Sequence, residues 1–380
     1  MSTTSTSSYP SRKHTNRSTS LSNLAGVVST RFRQLGKMED LEEAITCHRQ
    51  ALALQPHGHP HRSLSLNNLA SAVSTRFEQL GKMEDLEEAI TCYRQALALR
   101  PHGHPNRSLS LNNLGLAVSA RFEQLGKMED LEEAITCHRQ ALRLQPHGHP
   151  DRSLSLNNLA SAVSARFKQL GKTEDLEEAI TSSRQALALR PHGHPDRSYS
   201  LYNLADAVST RFKLSGSEFD LLDAVMYLSE AKNKLPTGHP HQLLVGLSLA
   251  SILLIQCDTG FKLEESLHMM TKAFELFEHA ADHSPAGAKD RFYAAVEWAL
   301  EARHRDHQSA VHAYTKSLTL LGRRIILAPT IESQQNLLAT VPKALALDAA
   351  SSSIDRGEFR SAIELLEQGR ALLLVKIARL

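Results

Sequence analysis

Residues 62–106 read RSLSLNNLASAVSTRFEQLGKMEDLEEAITCYRQALALRPHGHPN, and residues 107–151 repeat them with seven changes in 45 positions. The tripeptide Gly-His-Pro returns at Gly58, Gly103, Gly148, Gly193 and Gly238, a constant step of 45. Self-similarity at such a period marks a solenoid, in which each unit buries its apolar face on its neighbours. Within the unit, Leu66, Leu69, Ala70, Val73, Phe77 and Leu80 form one stripe of a 3.6-residue helix. Gly81 ends that helix. Leu86, Ala89, Ile90, Tyr93, Ala96 and Leu97 form a second stripe, which Pro101 and the following His-Gly-His-Pro terminate. Asp85 and Glu88 have the spacing of a capping box at the start of the second helix. Each unit is therefore a helical hairpin, and the fold predicted is all-α, a right-handed α-solenoid.

Working outward, units begin at Arg17, Arg62, Arg107, Arg152 and Arg197, and a degenerate sixth begins near residue 242. The array is expected over 17–285, after a polar Ser/Thr-rich tail at 1–16 read as disordered. Residues 286–380 read as divergent hairpins, with helices near 286–303, 308–326, 331–353 and 359–380.

The pattern Leu69, Ala70, Ala89, Tyr93, Ala96 and Pro101 resembles the tetratricopeptide repeat, in a unit longer than that family's usual period of about 34 residues. The longer unit with Leu-Asn-Asn-Leu-Ala is similar to those of kinesin light chains. The position the family reserves for an aromatic reads His48, Tyr93, His138 and Ser183. The segment Ala362–Leu374 resembles the helix preceding the caspase-like CHAT peptidase domain in fungal proteins. The 45-residue unit is also similar to arrays in fungal nucleotide-binding immune-type receptors. The resemblance implies a protein-binding adaptor. As an alternative it implies the regulatory portion of a CHAT peptidase or receptor, with no catalytic residue carried over and no effector domain before the last residue, Leu380.

Net charge is +2, from 43 basic and 41 acidic residues, which gives no electrostatic reason to expect nucleic acid or a membrane surface as partner. No apolar run is read as reaching the roughly 18 residues of a membrane span. Cys47, Cys92 and Cys137 share one repeat position, a repeat apart, so buried reduced thiols and a cytoplasmic protein are expected. The His-Gly-His links and the pair His279/His283 have chelating spacings, but neither supplies the roughly four ligands of a closed zinc site. They read as turns and a solvated helix end. No metal and no cofactor are expected. His304-Arg305-Asp306 lacks the other parts of a kinase, and no P-loop or nucleophile elbow occurs, so the chain is read as no enzyme.

The candidate site is a peptide groove. Asn23, Asn68, Asn113, Asn158 and Asn203 hold one position in five units, although Asn is a poor helix former. An amide both donates and accepts, so each is a possible handle on an extended backbone. One turn on, Gly26, Ser71, Leu116, Ser161 and Asp206 form the least uniform row of nearly uniform units. A constant amide ladder beside this row would hold backbone and read side chains. The expected partner is a protein or peptide. A spacer without ligand is the competing reading.

Overall fold

The computed structural model describes residues 12–239, 241–259, 263–283, 287–327, 334, 337–338 and 341–377. Most of the tail expected at 1–16 lies outside them. Residues 12–16 already belong to the first helix, which corrects the boundary by five residues. The described residues contain helices only, and consecutive helices pair as antiparallel hairpins.

Two compact units divide at Leu189/Arg190. The first contains α1 (Arg12–Leu35), α2 (Met38–Ala53), α3 (Arg62–Leu80), α4 (Met83–Ala98), α5 (Arg107–Leu125), α6 (Met128–Arg143), α7 (Arg152–Leu170) and α8 (Thr173–Ala188). Each odd helix packs on the even helix after it, and α3, α5 and α7 also pack on the even helix before them. Leu66, Val73, Leu86, Ala89, Ile90 and Ala96 are at most 1% exposed, so both predicted stripes meet inside one hairpin. Gly81 closes α3 at φ +68°, and its N–H donates to Phe77 O at 2.7 Å. That left-handed residue is what a helix C-terminus asks of glycine.

The charged residues work sideways rather than as caps. Asp85 is buried, and Lys82, the N-cap residue before α4, makes no side-chain cap bond. Arg76, on α3, donates to Asp85 at 2.6 Å and to Glu42 of the preceding repeat at 2.8 Å. Glu88 receives Arg49 of the preceding repeat at 2.7 Å. The capping-box reading is thus wrong: both acids bind arginines, which satisfy them better than exposed backbone N–H groups do. The same bonds recur at Arg121 and Arg166, and they stitch repeat to repeat.

The Pro-His-Gly-His-Pro links are turns with a specific use for histidine. Gly103 takes φ +87°, and His104 N donates to Pro101 O at 3.0 Å. The ring Nδ1 of His104 accepts the N–H of Asn106 at 3.1 Å, as His59, His149 and His194 do for the residue two further on. The first arginine of the next unit then caps the previous hairpin: Arg107 Nη1 donates to the carbonyls of Leu97 and Arg100. A cation there meets the negative end of the α4 dipole.

The second unit contains α9 (Arg197–Ser215), α10 (Glu218–Lys234), α11 (His241–Asp258), α12 (Leu263–Asp282), α13 (Ala288–His304), α14 (Ala310–Leu327), α15 (Leu345–Asp355) and α16 (Phe359–Ile377). Contrary to the sequence reading, α11 is one helix long and apolar enough to cross a membrane, with a mean hydropathy of 1.4. More than half of it is buried against its neighbours, Leu243, Val245, Leu249 and Leu253 among them. The single helix expected at 331–353 does not form. Val341–Ala344 are non-helical and α15 starts only at Leu345, because Pro342 has no N–H to continue a helix and disfavours helical backbone before it. His283 is not a solvated terminus. It is 6% exposed, and its Nε2 lies 3.1 Å from His239 O.

Candidate functional site

The Asn-Asn pair at the middle of each first helix splits into two roles. Asn67, Asn112 and Asn157 are the buried members, at 6%, 1% and 0% exposure. Asn112 Nδ2 donates to Ser155 Oγ of the next repeat at 2.5 Å, and its Oδ1 lies 3.2 Å from His138 Nδ1. Ser110 Oγ likewise donates to Asn67 Oδ1 at 3.5 Å. These amides join successive repeats, and the sequence reading did not single them out. Adjacent residues on a helix lie about 100° apart, so the two amides of the pair meet different surroundings.

The second members are the predicted ladder. Asn23 is exposed, Asn68 and Asn113 are half-buried, and Asn158 is buried, with no partner for its Nδ2. Asn113 Nδ2 also donates to Asn67 Oδ1 at 3.4 Å, so part of its capacity serves the array. Beside them Gly26, Ser71, Leu116 and Ser161 are exposed, Leu116 at 48%. In the second unit Asn203 and Asp206 are half-buried.

Asn68 and Ser71 line a cleft of about 300 Å³ with Gly26, Arg33 and His48 of the preceding repeat. In the second unit, a cleft of similar volume is lined by Asp206, Lys213 and Leu228 on one side and Ser248 and Ser251 on the other. These occupy the same repeat positions as Gly26, Arg33, His48, Asn68 and Ser71. Ser248 therefore continues the ladder position with a hydroxyl. The second cleft adds Glu297, whose carboxyl is pushed up by burial and accepts from Ser251 Oγ at 2.9 Å.

The residue of the second helix at the aromatic position lines the clefts, as His48 and Leu228 do, a further point missed from sequence. Tyr93 fills its own repeat, where Ser71 and Ser74 bond its hydroxyl, and burial raises its pKa to about 12. His48 is shorter and leaves a cleft under Gly26. It is 4% exposed, its pKa lowered by burial, and its Nδ1 has no partner. The reason is local: Ser22 stands where the third repeat has Asn112.

Among the described residues no three His, Cys, Asp or Glu side chains come together as a metal site. Cys47, Cys92 and Cys137 are buried free thiols, and burial raises Cys92 to about 11 and Cys137 to about 12. At ordinary pH they are protonated and packed as small apolar groups.

The sequence model of the tetratricopeptide repeat matches residues 17–61, 63–106, 108–151 and 153–196. No curated protein matches the sequence. Among solved structures, the chain is similar to the nearly identical TPR-like repeats of a kinesin light chain of Podosopora anserina. That chain is 22% identical, the match covers 58% of this chain and 96% of that one, and the TM-score is 0.41. It is similar to PilF of Pseudomonas aeruginosa at 18% identity, over 70% of this chain and 93% of that one, with a TM-score of 0.45. A monomeric mutant of IFIT1 with m7Gppp-AAAA is 15% identical over 92% of this chain and 80% of that one, with a TM-score of 0.49. Four matched units in tandem, each a hairpin docked on the next, make residues 17–196 a tetratricopeptide-repeat array.

Proposed function

We infer that the chain is a scaffold that holds a polypeptide along the face carrying Asn23, Asn68, Asn113 and Asn158, with Asn203 in the second unit in the same role. Tetratricopeptide repeats generally serve as protein-interaction scaffolds. The observation that carries the reading is the cleft beneath Gly26: the ladder residue Asn68 and its neighbour Ser71 form one wall and the preceding repeat forms the other. A face with such a cleft between repeats accepts side chains, while amides on its rim meet backbone groups. Ser71, Leu116, Ser161 and Asp206 then read the ligand, Leu116 through apolar contact and Asp206 through a donor or cation.

Amide hydrogen exchange on the full chain with and without a partner purified from the native source tests this reading. Protection confined to α1, α3, α5, α7 and α9 and the residues facing them supports it. Protection only on the even-numbered helices places the partner elsewhere and removes the groove.

A further inference from the structure

Two sets of charged residues on the odd-numbered helices behave differently. Arg31, Arg76, Arg121, Arg166 and Arg211 never vary, and each is paired with the aspartate nine residues on. Two residues further along, the same five repeats read Arg33, Glu78, Glu123, Lys168 and Lys213. Units otherwise nearly identical thus reverse sign at one position. That position lies seven residues, about two helical turns, beyond the variable row of Gly26, Ser71 and Leu116, on the same side of the helix. Arg33 itself lines the cleft with Asn68 and Ser71, so the row belongs to the groove.

The charges at the start of this row are not used within the fold. Arg33 donates to Thr30 Oγ1 at 3.0 Å, and neither it nor Glu78 nor Glu123 makes an ion pair among the described residues. All three residues are exposed overall, yet burial of the two carboxyls pushes both above their usual range. Both carboxylates are exposed and make no ion pair among the described residues, so a cation brought from outside can pair with them. Around Arg33 the situation is the opposite. The cleft is lined by its guanidinium, the imidazole of His48, the amide of Asn68 and the hydroxyl of Ser71, with no acid among the lining residues.

We propose that the groove of the first unit selects a polypeptide segment of ordered charge, with an acidic side chain in the Arg33–His48–Asn68 cleft and basic side chains over Glu78 and Glu123. The inference rests on the groove reading above and adds to it the chemistry of the partner. Because the sign changes between the first and second repeats and back between the third and fourth, the charges of a bound segment match in one register only. Sliding by one repeat would set an acid against Glu78, and like charges across an interface exclude wrong partners.

Two arms test it on the full chain. In the first, fluorescein-labelled hexalysine is titrated at low salt against wild type, Glu78→Lys/Glu123→Lys and the control Glu84→Lys/Glu129→Lys. The control makes the same charge change at exposed residues in the first turns of α4 and α6. A loss of about tenfold in the first variant and about twofold or less in the control is expected. Equal losses, or none, overturn the proposal. In the second arm, random 16-residue peptides displayed on phage are selected on wild type and on Arg33→Glu. All these positions are exposed, and circular dichroism checks that each variant folds. Wild type should enrich peptides with an acidic residue on one side of two basic ones, and Arg33→Glu should lose the acid. Peptides that depend on Asn68 and Asn113 but show no charge order overturn the proposal and leave the groove standing. Peptides with the charge order that bind Asn68→Ala/Asn113→Ala equally well uphold the charge order and remove the amide ladder. If no peptides are selected, the hexalysine result decides.

Discussion

The ring of His138 occupies the space a Cβ on Gly115 would need: an added methyl would lie 2.6 Å from Cε1 and 2.7 Å from Nε2. The other repeats have alanine at this position, Ala25, Ala70, Ala160 and Ala205. Gly115 lets the imidazole lean in far enough for Nδ1 to reach Asn112 Oδ1 at 3.2 Å. In the first repeat, Ala25 opposes His48, and the ring lines a cleft instead. The array thus contains both solutions.

Gly115→Ala should therefore cost little. Alanine gains about 1 kcal/mol of helix propensity over glycine. Against it stand the lost bond to Asn112, about 0.5–1.5 kcal/mol, and the displaced ring. Urea denaturation should show a net change within about 1 kcal/mol, with the His138 ring resonances moved toward those of His48. A loss of about 3 kcal/mol or more, the scale of an overpacked core, would mean the ring has nowhere to go.

Burial pushes His138 down to about 4. In the unfolded chain the same group takes its proton near 6.5. Between these values the unfolded state binds more protons, so acidification favours unfolding. The contribution is complete above about pH 6.5 and is lost as pH falls toward 4, about 2 kcal/mol of it by pH 5. Stability measured at pH 7.5 and pH 5 should therefore fall further in wild type than in His138→Ser, which borrows the residue of the fourth repeat. Equal falls would show that His138 does not titrate on unfolding.

Arg76 and Arg49 should separate buried from surface pairing. Arg76→Ala leaves Asp85 buried without its cation and should cost about 3 kcal/mol or more. Arg49 and Glu88 are 48% and 32% exposed, so Arg49→Ala should cost less than about 1 kcal/mol. The comparison is made by urea midpoint at unchanged m-value. Equal costs would remove the distinction.

The hairpins were legible because period, apolar stripes and turn residues point to one answer: Gly81 ends α3, Pro101 ends α4, and Arg62 and Arg107 open equivalent helices. What spacing alone does not give is which neighbour a polar side chain reaches. Asp85 has the spacing of a cap but meets Arg76, and Asn67 and Asn68 are neighbours in sequence with opposite surroundings. Arg100 is 1% exposed and donates to Ser110 Oγ at 2.6 Å and Asn106 O at 2.9 Å. In the sequence it reads as an ordinary charge near a helix end. One internal sign was available: the inner asparagine becomes Ser22 in the first repeat and Tyr202 in the fifth, while the outer one persists. Pro342, which cannot continue a helix, marks the break before α15 in the sequence itself.

The most direct test of the groove is a calorimetric titration of a purified partner into wild type and into Asn68→Ala/Asn113→Ala/Asn158→Ala, with circular dichroism and thermal melts showing that both are folded. Each amide bonded to a peptide backbone contributes about 0.5–1.5 kcal/mol, so the triple variant should bind at least about tenfold more weakly, with Leu116→Asp adding to the loss. Equal affinities for two folded proteins would contradict the groove and leave the array a spacer.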